Sequence, residues 1–255
     1  MSQPLPTRRT EPPPGEVSYP LVLTGPGRSP MRPVFGIMVG ILAFAILTPL
    51  VAQLLLAAGW LLRGRPGFDG YRSEALAYEL PEGLVASHLG LACLLLVSMA
   101  LVRYLHGRKP RWLASVQPGM RWRYLLICLL AAAVVINAVL WASFWLLEQP
   151  AFVPAQDGWP YFLIAIVLFA PLQAAAEEFF FRGYVFQALG SAFGSAWAGI
   201  VGSALLFAVF HGIQSPALFV DRFGFGLLAA WLVWRTGGLE AAIGAHVVNN
   251  LFAFG

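Results

Sequence analysis

Three short groups of polar residues interrupt the apolar segments in the C-terminal part of the sequence. They are Glu177-Glu178-x-x-x-Arg182, Phe207-x-x-x-His211 and His246-x-x-x-Asn250. A charge at the centre of a bilayer costs on the order of 3 kcal/mol even on the lenient insertion scales. Three charges within six positions of an apolar segment therefore predict a function for the residues that carry them.

The spacing of these residues predicts which of them share a helix face. Residues four positions apart lie on one face, so Glu178 is predicted to pair with Arg182, while Glu177 points about 100° away from Glu178. His246 and Asn250 share a face by the same rule. Counted from the glycine-flanked turns at 190–194 and 236–238, the three groups lie within about one or two helical turns of the same depth. The spacing therefore predicts one shared site.

The residue types in this site suit hydrolysis by an activated water. A buried carboxylate beside imidazoles can act as a general base, because burial disfavours its charged form. Glu177, which has no predicted partner, would take the proton from water. His246 and Asn250 can donate hydrogen bonds to a developing oxyanion. Together these groups predict cleavage of an acyl bond without a covalent nucleophile.

Structural alternatives stay open for each group. Glu178 and Arg182 could form a clamp that holds two helices together. His211 could be an interfacial histidine at a helix end. His246 and Asn250 could be interhelical hydrogen-bonding residues, which are common in membrane proteins.

A metal site is a further alternative. Glu177, His211 and His246 could supply the three protein ligands of a catalytic zinc ion. The sequence lacks His-Glu-x-x-His, the compact helical motif of the zincin proteases. Asparagine is also a poor zinc ligand, so Asn250 fits an oxyanion role better. We therefore expect no cofactor, with zinc as the alternative.

The composition indicates an integral membrane protein. The 255 residues are 59% hydrophobic and only 11% charged, with a mean hydropathy of +0.73. Soluble domains carry about 25% charged residues. The net charge of +4 therefore predicts cytoplasmic flanks that face anionic lipid, and it does not predict nucleic-acid binding.

The order of apolar and polar segments predicts an all-α polytopic fold. Residues 1–33 contain nine prolines and are expected to form a disordered cytoplasmic tail. Residues 34–159 are predicted to form the N-terminal transmembrane helices and residues 160–255 the catalytic ones. The loop 103–123 carries six basic residues and no acid, so it is expected on the cytoplasmic side. The predicted spans are 34–62, 84–105, 124–147, 160–189, 195–210, 217–234 and 239–254. This count is seven, or eight if the long fourth segment breaks near Pro171.

The order of the three motifs resembles the CPBP family of intramembrane proteases. That family comprises the type II CAAX-prenyl endopeptidases and the bacteriocin-processing or immunity-related proteins. The resemblance covers about residues 160–255 and includes the Arg182-Gly183 step that follows the acidic pair. It implies a glutamate-type mechanism. The implied catalytic residues are Glu177, which activates the water, His211, which assists it, and His246 and Asn250, which form the oxyanion site. The implied supporting residues are Glu178 and Arg182.

These observations lead to one functional prediction and two alternatives. We expect a membrane-embedded endopeptidase in the bacterial inner membrane, with membrane lipids and a peptide or protein substrate as its partners. One alternative is a non-proteolytic scaffold or immunity protein that binds a peptide in the same cavity. The other is a proton-coupled transporter that uses the same acids as a relay. Polar residues outside the motifs, His88 among them, are expected to serve helix packing.

Overall fold

The computed structural model of the chain describes residues 18–25, 29, 31–64, 67–147, 154–212 and 215–254. These residues form ten α-helices and no β-strand. The helices are α1 Met31–Arg63, α2 Phe68–Leu76, α3 Pro81–Ala100, α4 Arg111–Ala114, α5 Trp122–Leu146, α6 Trp159–Glu178, α7 Phe186–Phe193, α8 Ala196–Phe210, α9 Pro216–Thr236 and α10 Glu240–Phe254. Short π-helical segments, Leu101–Leu105 and Phe179–Val185, extend α3 and α6. The predicted all-α class is confirmed.

Five helical segments in the described part of the chain are long and apolar enough to cross a membrane. They are Met31–Arg63, Pro81–Leu105, Trp122–Leu146, Trp159–Phe193 and Pro216–Thr236. Two further predicted spans fall on α8 and α10, which have 15 residues each. A helix of 15 residues is about 22 Å long, shorter than the hydrocarbon core of about 30 Å. The membrane class is therefore confirmed by five helices, and the count of seven or eight spans is not.

Pro171 does not interrupt the fourth predicted span. It lies inside α6, and the helical path continues through the π-helical segment and α7 to Phe193. Proline is tolerated within membrane helices because neighbouring groups satisfy the carbonyl that it leaves without a donor. The long segment is therefore one helical stretch of 35 residues.

The chain divides into two compact units, each of which is built from three separate segments. The first consists of Met1–Gly40, Leu96–Met120 and Phe179–Leu239, and the second of Ile41–Leu95, Arg121–Glu178 and Glu240–Gly255. In the first unit α8 packs against α7 and α9, and in the second α10 packs against α5 and α6.

Close helix contact fixes the position of α10 in the second unit. Gly244 faces α5, and a Cβ atom there would lie 2.9 Å from the carbonyl carbon of Cys128. Contacts this short exclude any side chain at residue 244 unless one helix moves. His246, two residues further on, points to the other side of α10, where it meets α6.

The predicted disordered tail lies mostly outside the described residues, which exclude 1–17, 26–28 and 30. Part of it is nevertheless ordered in the first unit. Tyr19 is buried, donates its hydroxyl hydrogen bond to the carbonyl of Leu113 and packs against Phe186. Pro20 lies against Gly190, where a Cβ atom would approach its carbonyl oxygen to 2.6 Å. Burial of the Tyr19 ring offsets the entropic cost of ordering this stretch.

Candidate functional site

Two buried glutamates and a buried histidine meet in the second unit, where the end of α6 packs against α10. Glu177 is 4% exposed, Glu178 is 0% exposed and His246 is 3% exposed. The Nδ1 atom of His246 lies 2.7 Å from Oε1 of Glu178. The Nε2 atom of the same ring lies 3.7 Å from Oε2 of Glu177. One imidazole therefore faces both carboxylates.

The hydrogen bond to Glu178 places a proton on Nδ1 of His246. A carboxylate oxygen only accepts, so Nδ1 donates, and the second nitrogen faces the space beside Glu177. Among the described residues no group donates a hydrogen bond to Oε2 of Glu177. The 3.7 Å between Oε2 and Nε2 is too long for a direct hydrogen bond. A water beside the two atoms could reach both of them at about 2.8 Å.

Asn250 lies one turn beyond His246 on the same face of α10, as the spacing predicted. Its Nδ2 atom donates a hydrogen bond of 2.8 Å to Oε1 of Gln173, which lies one turn before Glu177 on α6. Both amides are buried. The sequence analysis missed Gln173. The available signal was an amide side chain in an apolar segment, four residues before the acidic pair.

An ion pair at the start of α10 anchors the helix that carries His246. Glu240 is fully buried, and its Oε1 atom accepts hydrogen bonds from the backbone N–H of Arg121 at 2.9 Å and from Nε at 3.0 Å. Its Oε2 atom accepts a third from an Arg121 guanidinium nitrogen at 2.6 Å. The bond to this carboxylate raises the pKa of Arg121. The bidentate pair joins α10 to the N-terminal end of α5.

Arg182 and His211 belong to the first unit, where both contact Phe207. The Arg182 guanidinium lies 3.9 Å from the centroid of the Phe207 ring and 5.7 Å from that of Phe225. The Nδ1 atom of His211 donates a hydrogen bond of 2.8 Å to the carbonyl of Phe207, and the two rings are 4.3 Å apart. The predicted Glu178–Arg182 pair and the assisting role of His211 stay predictions.

The structure thus brings Glu177, Glu178, His246 and Asn250 together in one unit, with Gln173 beside them. In the part of the chain that is described, no three His, Cys, Asp or Glu side chains form a group that could hold a metal ion. The expectation that no cofactor is used, and the zinc alternative, both stay predictions. The cluster contains the groups that general-base hydrolysis requires.

The fold and the site together define a class. An all-helical chain with five helices able to cross a membrane is a polytopic membrane protein, and this one buries carboxylate, imidazole and amide groups where α6 meets α10. Residues 156–252 match the family model of the Rce1-like type II CAAX prenyl endopeptidases. The matched segment contains all three motifs, and the match confirms the resemblance that they indicated.

One curated protein is similar over a longer stretch. The uncharacterized protein YyaK of Bacillus subtilis (strain 168) is 28% identical over 163 residues, which cover 59% of this chain and 53% of YyaK. The chain therefore spans about half the length of that relative. No solved structure was found to match the chain.

Proposed function

We propose that this protein is an intramembrane endopeptidase in which Glu177 activates the water that hydrolyses a peptide bond. The observation that carries the proposal is the space between Oε2 of Glu177 and Nε2 of His246. The two atoms are buried, face each other at 3.7 Å, and leave the carboxylate oxygen without a hydrogen-bond donor from the described residues. A buried acceptor in this state costs about 1–3 kcal/mol, which a bound water would offset.

The proposed reaction begins with a water held by Glu177 and His246. The water oxygen bonds to the carbonyl carbon of the substrate while its proton passes to Glu177. The carbonyl oxygen becomes an oxyanion. When the tetrahedral intermediate collapses, the C–N bond breaks and the proton on Glu177 passes to the leaving nitrogen. Every proton is thereby accounted for without a covalent enzyme intermediate.

The other residues hold this arrangement in place. Glu178 fixes the ring of His246 through Nδ1. Gln173 accepts one N–H of Asn250 and leaves the second N–H for the oxyanion. His246 is the second proposed donor to the oxyanion, a role that requires a proton on both ring nitrogens. Assistance by His211 and support from Arg182 remain part of the proposal through the family resemblance.

The substrate class follows from the same resemblance. The family model that matches residues 156–252 is named for CAAX prenyl endopeptidases. We propose a membrane-associated or prenylated peptide as the substrate, cleaved by a multi-pass protein of the bacterial inner membrane. We also propose that α8 and α10 cross the membrane as shorter spans, which gives seven in total.

Comparison of membrane fractions tests the proposal in cells. We expect cells with the Glu177→Gln variant to accumulate at least one membrane-associated protein in its uncut form, because the amide cannot take the proton from water. Peptide termini are compared by mass spectrometry between wild type and variant. The control is Glu79→Gln, which replaces an exposed carboxylate.

The comparison of membrane fractions and two further measurements distinguish the endopeptidase from its alternatives. Identical sets of termini in the wild-type and Glu177→Gln cells would contradict proteolysis. Retention of the cellular phenotype in the Glu177→Ala variant would then favour a peptide-binding scaffold or immunity protein. Flux that depends on a pH gradient in proteoliposomes would favour a proton-coupled transporter.

A chelator separates the water-only mechanism from the zinc alternative. The purified protein is incubated with 1,10-phenanthroline, and the chelator is removed before cleavage is measured. We expect activity to stay within about twofold of the untreated protein, because no step of the proposed reaction involves a metal. Loss of activity that returns on addition of Zn²⁺ would instead support zinc held by Glu177, His211 and His246.

A further inference from the structure

His88 on α3 has one buried nitrogen that forms no hydrogen bond with any described residue. The side chain is 4% exposed and lies outside the segment that matches the family model. Its Nδ1 atom is 2.8 Å from the carbonyl oxygen of Leu84. A carbonyl only accepts, so Nδ1 donates and Nε2 of the neutral ring is an acceptor. Among the described residues no donor reaches this Nε2 atom.

A residue that served packing alone would not need a buried acceptor such as Nε2 of His88. A buried acceptor without a donor costs about 1–3 kcal/mol, and most buried polar atoms in proteins have a partner. Methionine or leucine would fill a similar volume at residue 88 without this cost. The expectation that His88 serves helix packing accounts for its ring and for Nδ1, but it does not account for Nε2.

The neighbours of His88 connect it to the helix that carries Glu177. Leu84, one turn earlier on α3, packs in one cluster with Phe162 and Ile166 of α6. Continuing in steps of three and four residues, the same face of α6 leads through Gln173 to Glu177. All of these residues belong to the second unit.

A cavity is lined by two of the residues that contact His88. Its volume is about 520 Å³, within the range of pockets that bind small ligands. Leu84 and Phe254 line it, and both contact His88, the first through its carbonyl and the second through its ring at 5.0 Å between centroids. Much of the remaining wall is apolar, with Trp159, Phe162 and Ile166.

The chemistry of cavity and nitrogen together indicates what binds there. The cavity, whose wall residues Leu84 and Phe254 contact His88, matches an apolar side chain. The acceptor nitrogen of His88 matches a backbone N–H next to that side chain. A water molecule fits less well, because a buried water needs two to four polar partners. The Phe254 ring, which is 45% exposed, packs edge-on against the His88 ring and can rotate away from it.

We propose that His88 is a substrate-binding residue whose Nε2 atom accepts a hydrogen bond from a backbone N–H of the peptide. The apolar side chain beside that N–H occupies the cavity, and the peptide continues along α6 toward Glu177. This inference rests on the proposed function, since it takes a peptide as the ligand. It adds a specificity-determining contact from the N-terminal half of the chain, which none of the three motifs contains.

Two variants of His88 separate the hydrogen bond from packing. His88→Gln keeps an acceptor oxygen near the position of Nε2, whereas His88→Met keeps the volume and removes the acceptor. Both are made in the full-length Glu177→Gln protein in lipid nanodiscs, so that binding is measured without turnover. The probe is a fluorescent peptide with a farnesylated cysteine and apolar residues after it. A second series of the same peptide carries an N-methyl group on one backbone nitrogen at a time.

We expect His88→Met to weaken peptide binding about tenfold, the value of one hydrogen bond of about 1.4 kcal/mol, and His88→Gln to weaken it by about threefold or less. One N-methyl peptide should bind to the protein with His88 about tenfold more weakly than the unmethylated peptide does. The His88→Met protein should bind these two peptides equally well. In the active protein, His88→Met should raise KM and leave kcat within about twofold.

The outcomes distinguish this inference from the proposed function. Equal binding by the His88→Met protein, or N-methyl effects that persist in it, would overturn the role of His88 and leave the endopeptidase proposal intact. Loss of thermal stability in His88→Met without loss of affinity would do the same, because it would assign Nε2 to packing or to a bound water. Failure of the protein with His88 to bind any of the peptides would overturn the role of His88 and the prenylated class of substrate, while the comparison of membrane fractions would still decide whether the protein is an endopeptidase.

Discussion

Two buried carboxylates in the same unit have opposite surroundings. Glu240, at the start of α10, accepts three hydrogen bonds from Arg121, and both of its oxygens are used. Glu177, at the end of α6, has an oxygen that no described donor reaches, with His246 at 3.7 Å. A carboxylate saturated by arginine has no capacity left for chemistry. A carboxylate oxygen that lies too far from its neighbour for a direct hydrogen bond can still accept a proton. Burial alone therefore does not identify a functional acid.

Removing the partner of His246 should have the largest effect among changes around the reacting groups. The Glu178→Met variant loses the oxygen that accepts the hydrogen bond from Nδ1, and with it the contact that orients the ring of His246. We expect kcat to fall by about 100-fold, as is usual when a group that orients a catalytic histidine is lost. Single-turnover cleavage in nanodiscs measures the effect. A fall of less than about threefold in folded protein would remove Glu178 from the mechanism.

A smaller effect is expected where α10 touches α5. In Gly244→Ala the new Cβ atom would meet backbone atoms of Cys128 and Leu129 at 2.9 and 3.0 Å, so α10 must shift and carry His246 with it. We expect kcat/KM to fall by about tenfold, because small displacements of reacting groups are costly.

Gly224→Ala provides the matched control on α9, since no atom lies within 4 Å of its Cβ position. It should leave activity unchanged and stabilise the helix by up to about 1 kcal/mol. Equal effects of the two glycine substitutions would mean that the α5–α10 contact does not position His246.

The Arg121–Glu240 pair should affect stability much more than activity. Glu240→Met leaves the Arg121 guanidinium without its carboxylate, and we expect a loss of roughly 3 kcal/mol in the free energy of unfolding. The double variant with Arg121→Met should recover part of this loss, because neither charge is then left alone. Thermal unfolding in detergent measures both. Activity per folded molecule should stay within about threefold of wild type. A larger fall would mean that the Arg121–Glu240 pair contributes to catalysis as well as to stability.

The sequence predicted the parts of the molecule that depend on local patterns. Apolar segments with charged flanks predicted the helices, and the four-residue spacing put His246 and Asn250 on one face of α10, where both are buried. The position of Glu177 beside an imidazole agrees with the predicted common depth of the first and third motifs.

Contacts between distant segments could not be predicted in the same way. Glu178 forms a hydrogen bond with His246, which lies 68 residues away in the sequence, and no spacing rule predicts that contact. Gln173 received no role and His88 only a role in helix packing, because neither belongs to a motif. Their positions depend on how α3, α6 and α10 pack against one another, and side-chain contacts across helices decide that packing.

The most direct measurement of the central claim is single-turnover cleavage by the purified Glu177→Gln protein in nanodiscs. The substrate is the protein that the membrane comparison identifies, and Glu79→Gln serves as the control. We predict that the Glu177→Gln variant binds this substrate as tightly as wild type and cleaves it about 1,000-fold more slowly, within the range that general-base catalysis supplies. Cleavage by that variant at a rate within about threefold of wild type would contradict the account.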